Sequence, residues 1–337
     1  MEIMKEAGLV IKKDIGRYIR GPEISWQPAD LFPLFSEKSW IEDNREIRLE
    51  ASRLPNELLI VVIANMITEE ALPTYSSWLS SLPGPDRPGE ESNVWGDWNR
   101  SWSAEENRHG DVLNRWLFLS GRVNLKEVES TIHHLIQDGG DTGTLNDPYR
   151  TFIYTSFQET ATRISHLRSG QLAKKYGASF LQNICTRIAG DEQRHAMAYR
   201  FFVSSLMALD PSEMILAFAD MMKKKITMPA MFMREANREK GSAFRQFEPI
   251  ATRLGIYTAE DYIVILENLI LDWKIENLTG LTSAATEAQE YLYKLPARLR
   301  RTMDRYQVKL ASMPLNTSFG WINPVEPFSS NFQSLPN

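Results

Sequence analysis

The chain has 337 residues, 43% of them hydrophobic and 24% charged, with a formal net charge of −5. This is ordinary composition for a soluble globular chain, and so mild an acidity argues against a general nucleic-acid binder. A single cysteine, Cys185, excludes an intramolecular disulfide framework and fits a reducing compartment.

In chain order, nearly every long segment carries a helical stripe. The N-terminal stretch MEIMKEAGLVIKKDIGRYIRG has no apolar core of the secretory kind, and Glu2, Glu6 and Asp14 speak against an organelle transit peptide. Residues 43–54 and 56–72 read as helices separated by Pro55, and Pro73 ends or kinks the second. PGPDRPGEES at 83–92 is a surface loop. Helical segments follow at 93–119, 124–137, 149–168 and 178–208, punctuated by Gly121, by GGDTGTLNDP and by Gly170. Asp210-Pro211 opens the next helix, Pro229 lies near its end, and 241–254, 259–278 and 283–310 continue the pattern. No segment alternates as a strand would. The longest purely apolar run, LLIVVIA at 58–64, is far short of the roughly 20 residues of a membrane span. These features predict one all-α domain over 1–337 with about ten helices, an N-terminal extension at 1–25 and an irregular tail at 311–337.

Two short strings stand out. DEQRHA at 191–196 and EENRHG at 105–110 share the form acid-Glu-x-Arg-His, which pairs Glu192 with His195 and Glu106 with His109 at i, i+3. Each pair shares one helix face, so both side chains can ligate a common ion. Ile184, Ile188, Tyr199 and Phe202 lie on or near the stripe of Glu192 and His195, and burying a carboxylate and an imidazole there is costly unless something pairs them. In ferritin-like di-iron carboxylate bundles, two Glu-x-x-His helices are joined by one glutamate from each of two further helices. Glu159 is the only acid between Asp147 and Asp191 and has Phe152 and Ser156 on its face. In MITEEALPTY, Glu69 rather than Glu70 follows Val62 and Met66 on the apolar side. Four carboxylates and two imidazoles suit two iron or manganese ions better than zinc. Glu105 and Asp191 are placed to orient the imidazoles, and Arg108 and Arg194 to hold carboxylates. Thr162, one turn after Glu159, puts a hydroxyl beside the metals.

The strings EENRHGD, DEQRH, MITEEALPTY, IYTSFQE, FADMMKKKITMP and GIYTAEDY closely resemble the soluble acyl-carrier-protein desaturases, the plant stearoyl type and its bacterial relatives, from about Trp26 to about Trp321. The resemblance implies a homodimer of ferritin-like helical subunits. Each would hold two iron ions on Glu69, Glu106, His109, Glu159, Glu192 and His195. It implies use of O₂ and two electrons from reduced ferredoxin to desaturate an acyl chain carried on acyl carrier protein. It also implies a role for Trp26 on an electron path toward His109 and Asp191, and for Thr162 near where O₂ is handled. The chain carries no dinucleotide fingerprint or cysteine cluster, so electrons must come from a partner. The implied location is the cytoplasm of a bacterium or the plastid stroma of a plant or alga.

Basic clusters at Lys223, Lys224, Lys225, Arg234, Arg238, Lys240 and Arg245, and at Arg298, Arg300, Arg301 and Arg305, would attract acidic partners. Two departures from the plant pattern are Ala196, where an acid is usual, and the bulky Trp78. With Ser81, Leu82 and Thr151 beside Phe152, Trp78 is expected around the deep end of the acyl channel, where it would change the chain-length or double-bond preference; the competing expectation is that its ring simply packs in the core. Competing expectations are an acyl hydroxylase or oxidase on the same site, a non-enzymatic iron-storage or ferroxidase protein, and a scaffold without chemistry.

Overall fold

The computed structural model describes residues 2–32, 40–82 and 93–323. The expected loop at 83–92 and the last part of the tail, 324–337, lie outside the described residues. Twelve α-helices are present among them: α1 Glu2–Asp14, α2 Trp40–Ser52, α3 Asn56–Glu70, α4 Leu72–Ser80, α5 Val94–Ser120, α6 Leu125–Asp138, α7 Pro148–Lys175, α8 Ser179–Leu209, α9 Pro211–Lys224, α10 Ser242–Arg253, α11 Ala259–Asp272 and α12 Ser283–Ser312. The only strand-like feature among the described residues is a bridge between Val123 and Ile322. The all-α expectation is met.

Several boundaries follow from local chemistry. Asp147 and Asp210 accept backbone N–H groups of the first turns of α7 and α9, each just before a proline that needs no such bond. Asn93 caps α5 through the N–H groups of Trp95 and Gly96. Pro73 sits in the first turn of a new helix, α4, so it starts a helix as well as following one.

Gly170 does not interrupt α7. A Cβ there would meet Cys185 Cβ at 3.0 Å, so the missing side chain lets α7 and α8 approach. Burial pushes the Cys185 thiol up to about 12, which fits a small inert hydrophobe. α11 ends at Asp272 rather than 278, because Lys274 adopts a left-handed conformation (φ 50°).

Apolar residues divide into two clusters; the long helices α5, α7 and α8 run from one to the other, and α3, whose core residues all lie in the second, reaches the seam at its C-terminal end. On α5, Trp95, Trp98 and Trp102 belong to one cluster, whereas Val112, Leu113 and Trp116 belong to the other. On α8, Ile184 and Ile188 precede the seam, and Tyr199 and Phe202 follow it. The buried polar side chains between these positions, Glu106, His109, Glu192 and His195 among them, are therefore enclosed at both ends by hydrocarbon.

Asn56–Ser80 is long and apolar enough to cross a membrane by length and composition, which the unbroken run of seven had not suggested. It is, however, two helices, and most of it is buried against protein. Its apolarity serves the core, with Leu58 to Ala64 at most 1% exposed. Residues 2–14 are helical too, with Met4, Ala7 and Ile11 packed into the first cluster. At the other end, Trp321 donates to Thr131 Oγ1 at 2.9 Å and anchors the start of the tail.

Candidate metal centre

At the seam, Glu69 of α3, Glu106 and His109 of α5, Glu159 of α7 and Glu192 and His195 of α8 converge, and none is more than 8% exposed. They form two overlapping groups. Ligand atoms of Glu69, Glu106, His109 and Glu192 lie within 4.8 Å of one another, and so do those of Glu106, Glu159, Glu192 and His195. Glu106 and Glu192 belong to both, so the two groups could hold two neighbouring ions. All six residues picked from sequence spacing are brought together, while Glu70 turns away and covers Gly110, where a Cβ would meet its carboxyl at 3.0 Å.

The imidazoles are held at their far nitrogens. His109 Nε2 faces Asp191 Oδ2 at 3.4 Å and His195 Nε2 faces Glu105 Oε2 at 2.8 Å. Those two acids are gripped in turn: Arg108 donates to Asp191 at 3.1 Å, Arg194 donates to Asp191 at 2.9 Å, and Arg194 also pairs with Glu105. The Trp26 indole donates to Asp191 Oδ2 at 2.9 Å, so indole, carboxylate and imidazole form one chain. This leaves both Nδ1 atoms aimed at the carboxylates, His109 Nδ1 lying 3.1 Å from Glu192 and His195 Nδ1 2.7 Å from Glu106.

Electrostatics show what the enclosure does. Burial penalises the charge of Glu106, yet His109 and His195 outweigh that and hold its carboxyl down at about 2. Burial, reinforced by the charges of Glu106 and Glu159, pushes Glu192 well above the usual carboxylate range. Burial also disfavours charged imidazoles. Even so, Glu106 with Asp191 raises His109, and Glu105 with Glu106 raises His195, both well above the ordinary histidine value.

The residues fit a pair of divalent cations. Glu106 Oε1, both oxygens of Glu192 and His195 Nδ1 are buried and make no well-aligned hydrogen bond, although His195 Nδ1 lies 2.7 Å from Glu106 and His109 Nδ1 3.1 Å from Glu192; such crowding is costly in hydrocarbon surroundings unless an ion takes those lone pairs. Four carboxylates with two neutral imidazoles also balance two divalent charges.

Two partners of the cluster carried no motif in the sequence. His166 Nε2 lies 2.9 Å from Glu69 Oε1, and Trp102 Nε1 donates to Glu159 Oε1 at 3.1 Å. His166 follows Glu159 by two helical turns, the one spacing signal that pointed to it.

A cavity of about 920 Å³ reaches the centre from one side. Glu69, Glu106 and Thr162 line its inner end, and the exposed Lys223, Lys224 and Lys225 lie on its rim. Thr162 is half-buried and accepts from Gln158 Nε2 at 3.0 Å instead of bonding a carbonyl of its own helix. Trp78 lines the cavity, donating to Thr144 Oγ1 at 3.2 Å and meeting Tyr154 edge-on at 5.5 Å. Ser81, Leu82, Thr151 and Phe152 do not line it, contrary to expectation. Leu82 and Phe152 turn into the first apolar cluster, Phe152 stacking on Trp95 at 5.2 Å, and Ser81 faces solvent against Asn146. Ala196 is buried at 1% exposure, where an acid would need a partner.

Three residues of the two basic clusters prove to be held by other parts of the chain. Arg234 bonds Asp138, Lys240 bonds the carbonyls of Asp138 and Gly139, and Arg300 grips Glu260 and Glu267. The Arg305 side chain lies outside the described residues.

Comparison with known proteins agrees with this geometry. A family model described as fatty acid desaturase matches residues 1–323. The chloroplastic stearoyl-[acyl-carrier-protein] 9-desaturase of Gossypium hirsutum is 45% identical over 323 residues, covering 96% of this chain and 81% of that protein. The chloroplastic acyl-[acyl-carrier-protein] desaturase of Cucumis sativus is 44% identical over the same shares. The X-ray structure of the acyl-ACP desaturase DesA2 from Mycobacterium tuberculosis H37Rv shares the fold, with a TM-score of 0.54 at 17% identity, over 86% of this chain and 99% of that one. The chain belongs to the fatty acid desaturase family, on the branch of the acyl-[acyl-carrier-protein] desaturases.

Proposed function

We propose that the chain is a ferredoxin-dependent acyl-[acyl-carrier-protein] desaturase that introduces a double bond into an acyl chain lying in the 920 Å³ cavity. The observation that carries this reading is the meeting of that cavity with the buried six-residue cluster at Glu69 and Glu106. An iron-storage role leaves the cavity, and the lysines on its rim, without a use.

The six residues would hold two iron ions, Glu106 and Glu192 being members of both ligand groups. When bound, the pair supplies the redox chemistry with O₂ that removal of hydrogen from an unactivated carbon requires and that no side chain provides. The protein's own part is positional. Apolar walls exclude water from the acyl chain, which is enclosed in a volume typical of sites that surround a ligand. Asp191 and Glu105 keep each imidazole in the tautomer that presents Nδ1 inward. Thr162 would offer a hydroxyl to the same cavity that Glu69 and Glu106 line, its oxygen held by Gln158.

The half-buried Trp26 links solvent to His109 through Asp191, which suits electron entry from an acidic ferredoxin. Lys223, Lys224 and Lys225 would steer acidic acyl carrier protein to the cavity rim, the phosphorylated arm of the carrier following the acyl chain inward. The enzyme would act as a homodimer, in bacterial cytoplasm or plastid stroma.

The test is product analysis by gas chromatography and mass spectrometry. Iron-loaded protein is incubated with a panel of acyl carrier protein thioesters, O₂, ferredoxin and its reductase. A monounsaturated product absent from Glu106→Ala supports the reading. Hydroxylated product would make it a hydroxylase, and no oxidised acyl product with iron bound would sink it.

A further inference from the structure

The two halves of the cluster match at the imidazoles but not at the outer carboxylates. His109 and His195 each present Nδ1 inward and are held by an acid at Nε2. Glu159 is held by an indole N–H, and Glu69 by the Nε2 of His166. Glu159 is 1% exposed and does not line the cavity, whereas Glu69 is 8% exposed and does. Glu69 is therefore the outer carboxylate with open space beside it, and the one a weak tether would release.

We propose that His166 is a positioning residue whose hydrogen bond fixes Glu69 against the cavity, making the Glu69–His109 metal position dependent on it and the Glu159–His195 position not. This rests on the two-metal reading given above. His166 is fully buried, and Glu69 is its only hydrogen-bond partner among the described residues, since Nδ1 has none. An imidazole placed in such surroundings costs free energy, and the His166 ring caps no helix and bonds no residue of the described chain apart from Glu69 of α3. With Glu69 as acceptor, Nε2 carries the hydrogen, so the neutral ring has its acceptor nitrogen at Nδ1. Unlike the indole on Glu159, this donor exists in only one neutral tautomer.

The test is a cobalt(II) titration of the full chain, followed by the visible absorption of the bound ion, which reports ligand number and geometry. The parent is expected to bind two equivalents per subunit. In His166→Leu, one equivalent should keep its affinity and spectrum, and the other should weaken about 10–100-fold. His166→Gln, whose amide reaches to about where Nε2 lies, should restore most of the loss. In a Glu69→Ala background, His166→Leu should add no further effect, because it acts through the absent carboxylate. His166→Met stands in if the leucine variant does not fold.

Two equivalents bound by His166→Leu with parental affinity would overturn the proposal and leave the two-metal reading intact. So would failure of the glutamine to rescue, or an added loss in the Glu69→Ala background. A parent that binds fewer than two equivalents overturns both.

Discussion

The indole of Trp26 lies 6.1 Å from the imidazole of His109, with the two planes within 10° of parallel. Both rings meet one oxygen, Asp191 Oδ2, at 2.9 and 3.4 Å, and the Arg108 guanidinium covers the indole at 4.8 Å. The carboxylate is thus a structural joint between a half-buried ring and a ring inside the metal cluster. In Asp191→Asn, ferredoxin-driven turnover is expected to fall about 10–100-fold. Acyl carrier protein binding should stay within a factor of about two, since Asp191 lies away from the cavity rim. Steady-state rates against ferredoxin concentration check this, and a parental rate would remove Asp191 from the relay.

Metal uptake should be proton-coupled, with a definite sign. His109, His195 and Glu192 are all raised above their ordinary values in the metal-free protein, by neighbouring carboxylates for the two imidazoles and by burial for Glu192, so each keeps its proton to higher pH than the free side chain. Ligation requires those protons to leave, so affinity rises as pH rises toward the raised values and falls as pH drops. Calorimetry of cobalt binding in two buffers of different ionisation enthalpy counts the protons. Release of none would contradict the electrostatic account.

The same burial should make the cluster a stability cost when no metal is bound. Glu192 has a folded pKa well above its unfolded value of about 4.3, so the folded state is penalised increasingly as pH rises above that unfolded value. Glu192→Met in metal-free protein is expected to gain about 1–4 kcal/mol at neutral pH and less near pH 4. Urea unfolding at the two pH values decides it. A variant less stable than the parent at both would show that the carboxyl ties the helices together even without metal.

Trp78 offers a test on specificity. Its ring occupies cavity wall between Thr144 and Tyr154, where a smaller side chain would extend the open volume. Trp78→Met is expected to shift the preferred acyl thioester by at least two carbons toward longer chains, a preference change of about 10-fold for each pair of methylenes that gains contact. Product profiles over the thioester panel measure this, and an unchanged profile would leave Trp78 as wall only.

Sequence alone determined the helical class and the six cluster residues, because both depend on spacing along one chain. Helical periodicity put Glu106 with His109 and Glu192 with His195 on single faces, and apolar neighbours at i−7 and i−3 singled out Glu69 from Glu70. Even the acids and arginines beside the histidines were legible, since they share the same helices.

What the tertiary structure decided was everything that depends on which helices meet. His166 and Trp102 have ordinary sequence surroundings, and their roles exist only because α7 faces α3 and α5 faces α7 at the seam. The cavity wall took Trp78 but not Leu82 or Phe152, since the faces of α4 and α7 that carry them turn into the neighbouring core. Arg234 and Arg300, free cations when read from sequence, are taken up by Asp138 and by Glu260 and Glu267, acids distant in sequence. Gly170, a break when read as one residue, is a contact point once Cys185 lies against it. Local spacing fixes which side chains share a face, but what that face meets is set by the packing of the whole chain.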